Sequence, residues 1–467
     1  MICNVQQKDQ AVEKNTSGRY LSAWSRLLSC TRISNVLSPT RADGADRVKP
    51  VDDRSPFERD YERVLFSPSF RKLAGKTQVR TFPDVDSVHN RLTHSMEVAS
   101  VARTLGSEIA RFLMKIGDIE GGSLDSICWI CQAAGLAHDI GNPPYGHAGE
   151  YAIQYWARKM RLEDKIFPDN PVWKDYEFYD GNAQSFRMLC THESHAGEAF
   201  SFTAATAGAL VKYPNTVDGC ADEFRVPKFD VFFNSKMVFE KTWAELGLKV
   251  SQRHPLSYLT EAADDICYRV LDLEDAAVSD VIPVKRALDI MKKGIGLNDN
   301  DAGESIPLSK LRSRLIRRMI VEFGKCFTDN YHDIMAFKFT GDLREHLSDS
   351  SCSKQYMDEV DEVYKSIYTE RRKVCVECGA YSQVPVILNR GYEFVHEAFT
   401  KSINGENCLP EYSKLSNFAK QFIVLAWNRD YYENNRLRSF EWWMHALLDY
   451  IVDMTDSYID MLAKKLN

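Results

Sequence analysis

The chain has 467 residues, 44% hydrophobic and 27% charged, so it is long enough to bury one large core or several ordinary ones. Its formal net charge of -7 gives no overall attraction for nucleic acid or for a membrane surface, and a polyanionic ligand would need a local cluster of Arg and Lys. The sequence shows neither an apolar run of membrane-spanning length nor a secretion signal, so we expect a cytoplasmic protein without membrane contact.

The first 55 residues are predicted to form an N-terminal segment with one short helix and a linker. The amphipathic pattern of residues 20–33 predicts the helix, and residues 38–55, rich in Pro, Asp, Arg and Gly, indicate the linker. Helical periodicity resumes over residues 57–73 and is broken once, at Ser67-Pro68. Ordered structure is therefore expected to begin near residue 56.

Two longer helices are predicted next, over residues 93–115 and 123–139. His94 lies in the first turn of the former, where a rigid element can present a ligand. The second helix is almost wholly apolar, which indicates burial at the centre of a bundle, yet it ends in His138 and Asp139. A buried carboxylate without a partner costs several kcal/mol or more, and a metal ion would remove that cost.

The stretch GLAHDIGNPPYGHAGE, residues 135–150, crowds ionisable side chains behind this helix. His147 and Glu150 follow the turn made by Pro143 and Pro144, and their i, i+3 spacing places them on one helix face. A Glu that orients a His by a hydrogen bond is typical of a general acid/base couple. We interpret this stretch as the active centre.

Helices also dominate the rest of the chain. Residues 180–213 indicate a helix, a loop and a helix, and residues 255–275 an amphipathic helix. On the latter, Asp264, Tyr268 and Asp272 are spaced to share one face. Further helical runs cover residues 308–326, 357–375, 384–399 and 439–466. The prediction is an all-α fold with a core at 56–280 and a C-terminal helical region at 281–467 packed on it.

Four of these residues form a candidate metal site: His94, His138, Asp139 and Asp264. Two imidazoles and two carboxylates suit a divalent Mg, Mn, Fe, Co or Ni ion, and the absence of thiolate argues against structural zinc. For any one of them alone, a helix cap or a satisfied polar core residue is the default interpretation.

The order of the motifs RLTHSMEV, HDIGNPPYGHAGE and EAADDICYRVLDLEDA resembles the HD-domain deoxynucleoside triphosphate triphosphohydrolases, the dGTPase-like enzymes. The segments SFRKLAGKTQV, GNAQSFR, KYP and DYIVDMTDSY are similar to theirs as well, so the resemblance runs from about residue 24 to the C-terminus. It implies an HD-domain helical bundle that hydrolyses dNTPs, dGTP among them, to deoxynucleoside and inorganic triphosphate. It further implies a divalent metal and a homo-oligomer, with a hexamer as the expected state.

The resemblance also assigns roles to individual positions. The implied metal ligands are His94, His138, Asp139 and Asp264, and the implied catalytic pair is His147 and Glu150. The implied substrate-binding residues are Gln78, Arg91, Asn142, Asn182, Lys212, Tyr268 and Asp272. In this assignment Arg91 and Lys212 contact phosphate, Tyr268 stacks on the deoxyribose, and Asp272 accepts from its 3'-hydroxyl.

Two other functions stay open. The same metal site could serve a phosphohydrolase acting on another nucleotide, or it could be vestigial in a nucleotide-sensing or DNA-binding protein. Tyr268 and Asp272, which the resemblance assigns to deoxyribose, argue against another nucleotide as substrate. A vestigial site is disfavoured because all the matched ligand and acid/base positions are filled.

Several patterns elsewhere have simpler interpretations. His192 and His195 lack the i, i+4 spacing of a zinc-protease helix, and His332-Asp333 repeats the HD dipeptide in a less apolar context. The basic residues of 310–318 indicate a solvated helix face, or else a site for a nucleotide effector or single-stranded DNA. The twelve cysteines are expected to be reduced. The pair Cys128/Cys131 is expected to pack as small hydrophobes, and Cys375/Cys378 could bind zinc only with two further ligands.

Overall fold

A computed structural model of the protein describes residues 18–37, 53–78, 88–163, 167–191, 200–217, 228–297, 306–377, 379–401 and 409–466. Over these ranges the secondary structure consists of helices and turns with three isolated β-bridges, and no strand is present. The predicted all-α fold is confirmed. None of the helices in these ranges has the length and apolar character that a membrane crossing requires.

The helices are numbered in chain order. The first eleven are α1 (Leu21–Leu27), α2 (Ile33–Leu37), α3 (Pro56–Leu65), α4 (Pro68–Lys72), α5 (Arg91–Lys115), α6 (Ser123–Ala137), α7 (His147–Glu163), α8 (Val172–Glu177), α9 (Gly181–Phe186), α10 (Ala204–Leu210) and α11 (Lys236–Leu246). The next ten are α12 (Pro255–Val278), α13 (Val284–Gly294), α14 (Leu308–Asp329), α15 (Tyr331–Met335), α16 (Cys352–Glu377), α17 (Ala380–Thr400), α18 (Asn417–Ala426), α19 (Arg429–Asn435), α20 (Phe440–Val452) and α21 (Asp456–Leu466).

Local capping explains where the helices near the site begin. Ser55 and Ser67 each accept a backbone hydrogen bond at the start of α3 and α4, and a Pro occupies the first helical turn of both, which confirms the predicted break at Ser67-Pro68. Asn90 and Thr93 form a reciprocal capping box that starts α5 at Arg91.

Two predicted helices differ from the structure. The helix predicted over residues 20–33 ends at Leu27, because the hydroxyls of Ser29 and Thr31 donate to Glu245 of α11, and a new helix begins at Ile33. The run predicted over 439–466 is two helices, since the chain breaks between Val452 and Asp456. The linker predicted over residues 38–55 lies mostly outside the described residues.

The centre of the molecule is the pair α5 and α6, flanked by α3 and α12. The contact is close because small residues meet: a Cβ added at Gly135 would lie 3.1 Å from the Cα of Ala99 and 3.2 Å from the Cβ of Ala102. Residues 127–137 of α6 are buried except for Trp129 and Gln132, as the apolar pattern predicts. This packing brings the start of α5, the end of α6 and the middle of α12 into one region.

Helices of the C-terminal region reach back to the same part of the fold. α17 packs on α7, α20 and α21, and α21 begins next to the turn that precedes α7. The division of the chain at residue 281 stays a prediction.

Candidate active site

His94, His138 and Asp139 meet at the junction of α5 and α6. One ligand atom of each residue lies within 4.8 Å of those of the other two, and the three residues are 2%, 6% and 7% exposed. Asp264 of α12 joins them, since its Oδ1 lies 3.2 Å from Nε2 of His94 and 3.5 Å from Nε2 of His138. These four residues are called the histidine-aspartate cluster below.

The hydrogen bonds of His138 orient the ring toward the cluster. Its Nδ1 lies 2.7 Å from the carbonyl oxygen of Gly135, one turn earlier, so the proton is assigned to Nδ1 as donor. Nε2 is buried without a hydrogen-bond partner among the described residues and points between Asp139 (3.6 Å) and Asp264 (3.5 Å). A backbone carbonyl that fixes the ring in this way is a common outer contact of metal-binding histidines. The set therefore fits a divalent cation through its chemistry and through this orphaned nitrogen.

Asp139 is held by two neighbours. Its Oδ2 accepts from Nη1 of Arg91 at 2.8 Å, and its Oδ1 accepts from Nδ2 of Asn142 at 2.6 Å. Burial alone would raise the pKa of Asp139, but the charges of Arg91 and His138 lower it to about 2. The carboxylate is thus ionised at neutral pH, as a hard cation requires.

Asp264 has a cationic partner of its own. Its Oδ2 accepts from the ammonium of Lys212 at 2.9 Å. Burial would raise the pKa of Asp264, whereas the charges of Lys212 and His138 hold it well below its usual range. For Lys212, burial favours the neutral amine, but Asp264 and Glu261 outweigh it and raise its pKa. Both partners remain charged.

Residues in and just before α9 hydrogen-bond to the turn between α6 and α7. The backbone N of Gly141 donates to the hydroxyl of Ser185 at 2.9 Å, and that hydroxyl donates to the carbonyl of His138 at 3.0 Å. The hydroxyl of Tyr179 donates to the carbonyl of Gly141 at 2.6 Å. These bonds fix the backbone around and immediately after His138 and Asp139.

His147 and Glu150 form the predicted couple. Nδ1 of His147 lies 2.6 Å from Oε2 of Glu150, and Oε1 of Glu150 accepts from the backbone N of Gly181 at 3.0 Å. Burial would raise the pKa of Glu150, while the charge and the hydrogen bond of His147 lower it. An ionised Glu150 accepts a hydrogen bond from Nδ1–H, so Nε2 of His147, whose side chain is 59% exposed, is the nitrogen left to face outward.

The other predicted substrate-binding residues lie on elements that border the site. Gln78 is buried and follows Thr77, which makes a β-bridge with Asn90. Asn182 follows Gly181 at the start of α9, and its backbone N donates to Asp180. Tyr268 and Asp272 follow Asp264 by one and two turns of α12; the former is half-buried and the latter is 1% exposed. Their roles toward a substrate stay predictions.

The sequence interpretation missed the residues that support the turn. Besides Ser185 and Tyr179, these are Lys76, whose ammonium donates to the carbonyls of Asn142 and Val452, and Asp456, which accepts from Tyr145. Ser185, Lys76 and Asp456 lie in the segments GNAQSFR, SFRKLAGKTQV and DYIVDMTDSY, so similarity to relatives was the one available signal. Burial lowers the pKa of Lys76 to about 8, against the opposing charge of Asp453.

The other His, Cys and basic motifs of the sequence lie at ordinary surface or core positions where the structure describes them. His332 and Asp333 are exposed on α15, and Cys128 and Cys131 are buried on α6. Burial raises the pKa of Cys131, so its thiol stays protonated. His192, His195 and the side chains of Cys375 and Cys378 lie outside the described part of the structure. On α14, Arg312 pairs with Glu274 and Arg318 with Glu322, while Lys310, Arg314 and Arg317 are exposed.

Comparison with known proteins identifies the domain that contains most of this site. The family model of the HD domain matches residues 91–170, which include three of the four cluster residues and the His147–Glu150 couple. The chain is 33% identical over 359 residues to a deoxyguanosinetriphosphate triphosphohydrolase-like protein of Pseudomonas aeruginosa, covering 72% of this chain and 79% of the relative.

Two further relatives carry the same description. The one from Synechocystis sp. is 35% identical over 322 residues, which is 63% of this chain and 71% of the relative. The one from Listeria innocua is 28% identical over 481 aligned positions, which is 95% of this chain and 99% of the relative. From this identity and coverage, the chain belongs to the deoxyguanosinetriphosphate triphosphohydrolase-like family of HD-domain phosphohydrolases.

Proposed function

We propose that this protein hydrolyses deoxynucleoside triphosphates, dGTP among them, to deoxynucleoside and inorganic triphosphate. The observation that carries the proposal is the pairing of two units across one turn. A buried imidazole nitrogen that has no hydrogen-bond partner in the described part of the chain is aimed into the histidine-aspartate cluster. The His147–Glu150 couple follows at the other end of the turn. The description of the relatives as deoxyguanosinetriphosphate triphosphohydrolase-like supports the substrate class.

The four cluster residues would hold one divalent ion, with Mn or Mg as the first candidates and Fe, Co or Ni as others. When bound, such an ion supplies Lewis-acid polarisation of a phosphate oxygen and lowers the pKa of a coordinated water. Arg91 and Lys212 border the cluster and would stabilise charge that develops on the α-phosphate.

The couple would serve the leaving group. With Glu150 accepting from Nδ1, a protonated His147 presents its Nε2–H outward, where it can donate to the departing 5'-oxygen of the nucleoside. The oxygen of a water molecule bonds to the α-phosphorus as the bond to the 5'-oxygen breaks. The 5'-oxygen takes the proton from Nε2 of His147, and triphosphate leaves intact with the water oxygen on its α-phosphorus. The phosphates, the base and the sugar are proposed to contact five further residues: Asn142, Asn182, Gln78, Tyr268 and Asp272.

The test is product analysis by chromatography and phosphorus NMR with each dNTP and with GTP, in Mn or Mg. We expect intact triphosphate from the wild type and a loss of about 100-fold or more in kcat in His147→Ala, the scale of a lost general acid. His332→Ala is the matched control, because it removes an exposed histidine beside an aspartate on α15. Pyrophosphate or orthophosphate as first product would place the attack at another phosphorus and reject the proposal.

We also propose that the protein works as a homo-oligomer, with a hexamer as the expected state, which native mass spectrometry measures directly.

The exposed cations Lys310, Arg314 and Arg317 of α14 are proposed as the surface for a nucleotide effector or single-stranded DNA. Salt-dependent binding of a labelled oligonucleotide, compared with a triple Ala variant of these residues, tests that surface.

A further inference from the structure

The backbone is strained immediately before His147. Tyr145 has a φ of +64° and Gly146 a φ of +55°, so two successive residues occupy the left-handed region. For a non-glycine residue this conformation is unfavourable and persists only where the surroundings impose it. Tyr145 is only 2% exposed, so its neighbours decide whether the chain keeps this path.

The neighbours that hold Tyr145 come from the C-terminal helices. Its backbone N donates to Oδ1 of Asp456, the first residue of α21, at 2.9 Å. Its hydroxyl donates to the carbonyl of the same residue at 3.3 Å and to the side chain of Gln383 in α17. Asp456 is 3% exposed, so these bonds are shielded from water.

The second oxygen of Asp456 binds a different segment. Oδ2 accepts from the backbone N of Thr77 at 3.0 Å and from its hydroxyl. Lys76 precedes Thr77 and reaches the turn through the carbonyl of Asn142 at 2.8 Å. Gln78, which follows, is a proposed substrate contact. One carboxylate therefore ties the end of the turn to the segment that precedes α5.

His147 depends on this arrangement because packing does not fix it. It follows Gly146 directly as the first residue of α7, and its side chain is 59% exposed. Its orientation is set by Glu150 and by the backbone that enters the helix.

We propose that Asp456, 309 positions along the chain from His147, is a positioning residue that sets where the imidazole stands. The inference rests on the proposed function only for the role of His147 as the proton donor. Asp456 touches neither the substrate nor the histidine-aspartate cluster in this scheme, and it acts through Tyr145 and Gly146.

Asp456→Asn tests the proposal at nearly constant size. The carboxylate accepts on both oxygens, whereas the amide keeps one acceptor and turns an NH2 group toward either Tyr145 N or Thr77 N. At least one of these two N–H groups loses its partner, which breaks the link between the strained turn and the segment before α5. We expect kcat for the dNTP substrate to fall by about tenfold or more, because small displacements of a reacting group are costly, with KM changed less than about threefold.

Asp60→Asn is a closely matched control. Asp60 is 0% exposed, and its Oδ2 likewise accepts from the backbone N and the hydroxyl of one threonine, Thr203, at 3.0 Å and 2.7 Å. It bonds to Arg32 rather than to the turn. A general loss of stability should affect both variants, whereas the loss of kcat should appear only in Asp456→Asn. Tyr145→Phe removes the hydroxyl contacts alone and carries the test if Asp456→Asn does not fold.

The decisive readout is NMR of isotope-labelled histidine, with the His147 signal assigned from His147→Asn. A shifted His147 signal and a changed titration in Asp456→Asn, with both unchanged in Asp60→Asn, support the proposal. An unchanged signal and unchanged kcat, or an equal loss in Asp60→Asn, overturn it. If the wild type releases no triphosphate from any dNTP, the proposed function fails, while the NMR comparison still decides the role of Asp456.

Discussion

Gly149 offers a sharp test of how the turn places the His147–Glu150 couple, because it lies between the two residues on the first turn of α7. A Cβ added there would stand 2.0 Å from the carbonyl oxygen of Pro144 and 3.2 Å from Cγ of Pro143. Ordinary contacts begin at 3.4 Å, so Gly149→Ala requires the helix and the turn to separate by about 1.4 Å. The obstacle is backbone of a Pro-Pro turn, which cannot rotate aside as a flexible side chain would.

Two effects on stability oppose each other in this variant. Alanine favours a helix over glycine by about 1 kcal/mol, whereas overpacking costs about 1–3 kcal/mol. The free energy of unfolding should therefore fall by no more than about 2 kcal/mol. Activity should fall by about 100-fold, since a displacement of about 1 Å in the placement of reacting groups has that scale of effect.

The assay combines kcat and KM for the dNTP substrate with thermal unfolding of the same samples. Gly121→Ala is the control, because a Cβ at Gly121 would meet no atom of the described residues within 4 Å. If Gly149→Ala keeps kcat within about twofold of the wild type, the turn does not set the geometry of the couple at the 1 Å level, and the reasoning is refuted.

Two further predictions concern the metal and an ion pair beside α5. Manganese at about 100 times its Kd should raise the free energy of unfolding of the wild type by about 2.7 kcal/mol and leave that of His138→Ala unchanged. Thermal unfolding with and without a chelator measures the effect. An equal response of both proteins would contradict the proposed metal ligands. Hydrogen bonds to Asp275 and Glu97 raise the pKa of His89 from 6.5 to about 10. Between these two pH values the folded protein keeps the proton of His89 while the unfolded chain releases it. The contribution of protonated His89 to the free energy of unfolding is therefore complete below pH 6.5 and is lost as the pH rises to about 10. The stability gap between the wild type and His89→Gln in urea unfolding should therefore shrink across that window, and a constant gap would contradict it.

Most of the fold that could be predicted from the sequence was predicted from helical periodicity. The bounds of α5, α6 and α12 agree with the pattern to within three residues, because each helix buries a continuous apolar face. The proposed ligand His94 and the couple at His147 could be singled out for a related reason, since polar residues at helix ends and turns interrupt that pattern. The end of α1 at Leu27 escaped prediction, because it depends on Glu245 of a distant helix.

The meeting of the four cluster residues needed more than periodicity. His94 and Asp264 lie 170 positions apart, and only the packing of α12 against α5 brings them to 3.2 Å. The supports of the turn are more distant still: Tyr145 and Asp456 are separated by 311 positions. Such contacts have no local spacing rule, so one sequence without a resemblance to relatives could not have supplied them.

The charges around the histidine-aspartate cluster connect the observed ion pairs with the proposed phosphate contacts. Asp139 pairs with Arg91 and Asp264 with Lys212, so the charges of these four side chains sum to zero. A divalent cation bound by the cluster would compensate the two carboxylates and leave the site with a net charge of about +2. In a buried site of low dielectric this charge attracts a polyphosphate strongly. Arg91 and Lys212 would then be available to phosphate oxygens, which would account for the pairing of proposed substrate-binding residues with proposed metal ligands.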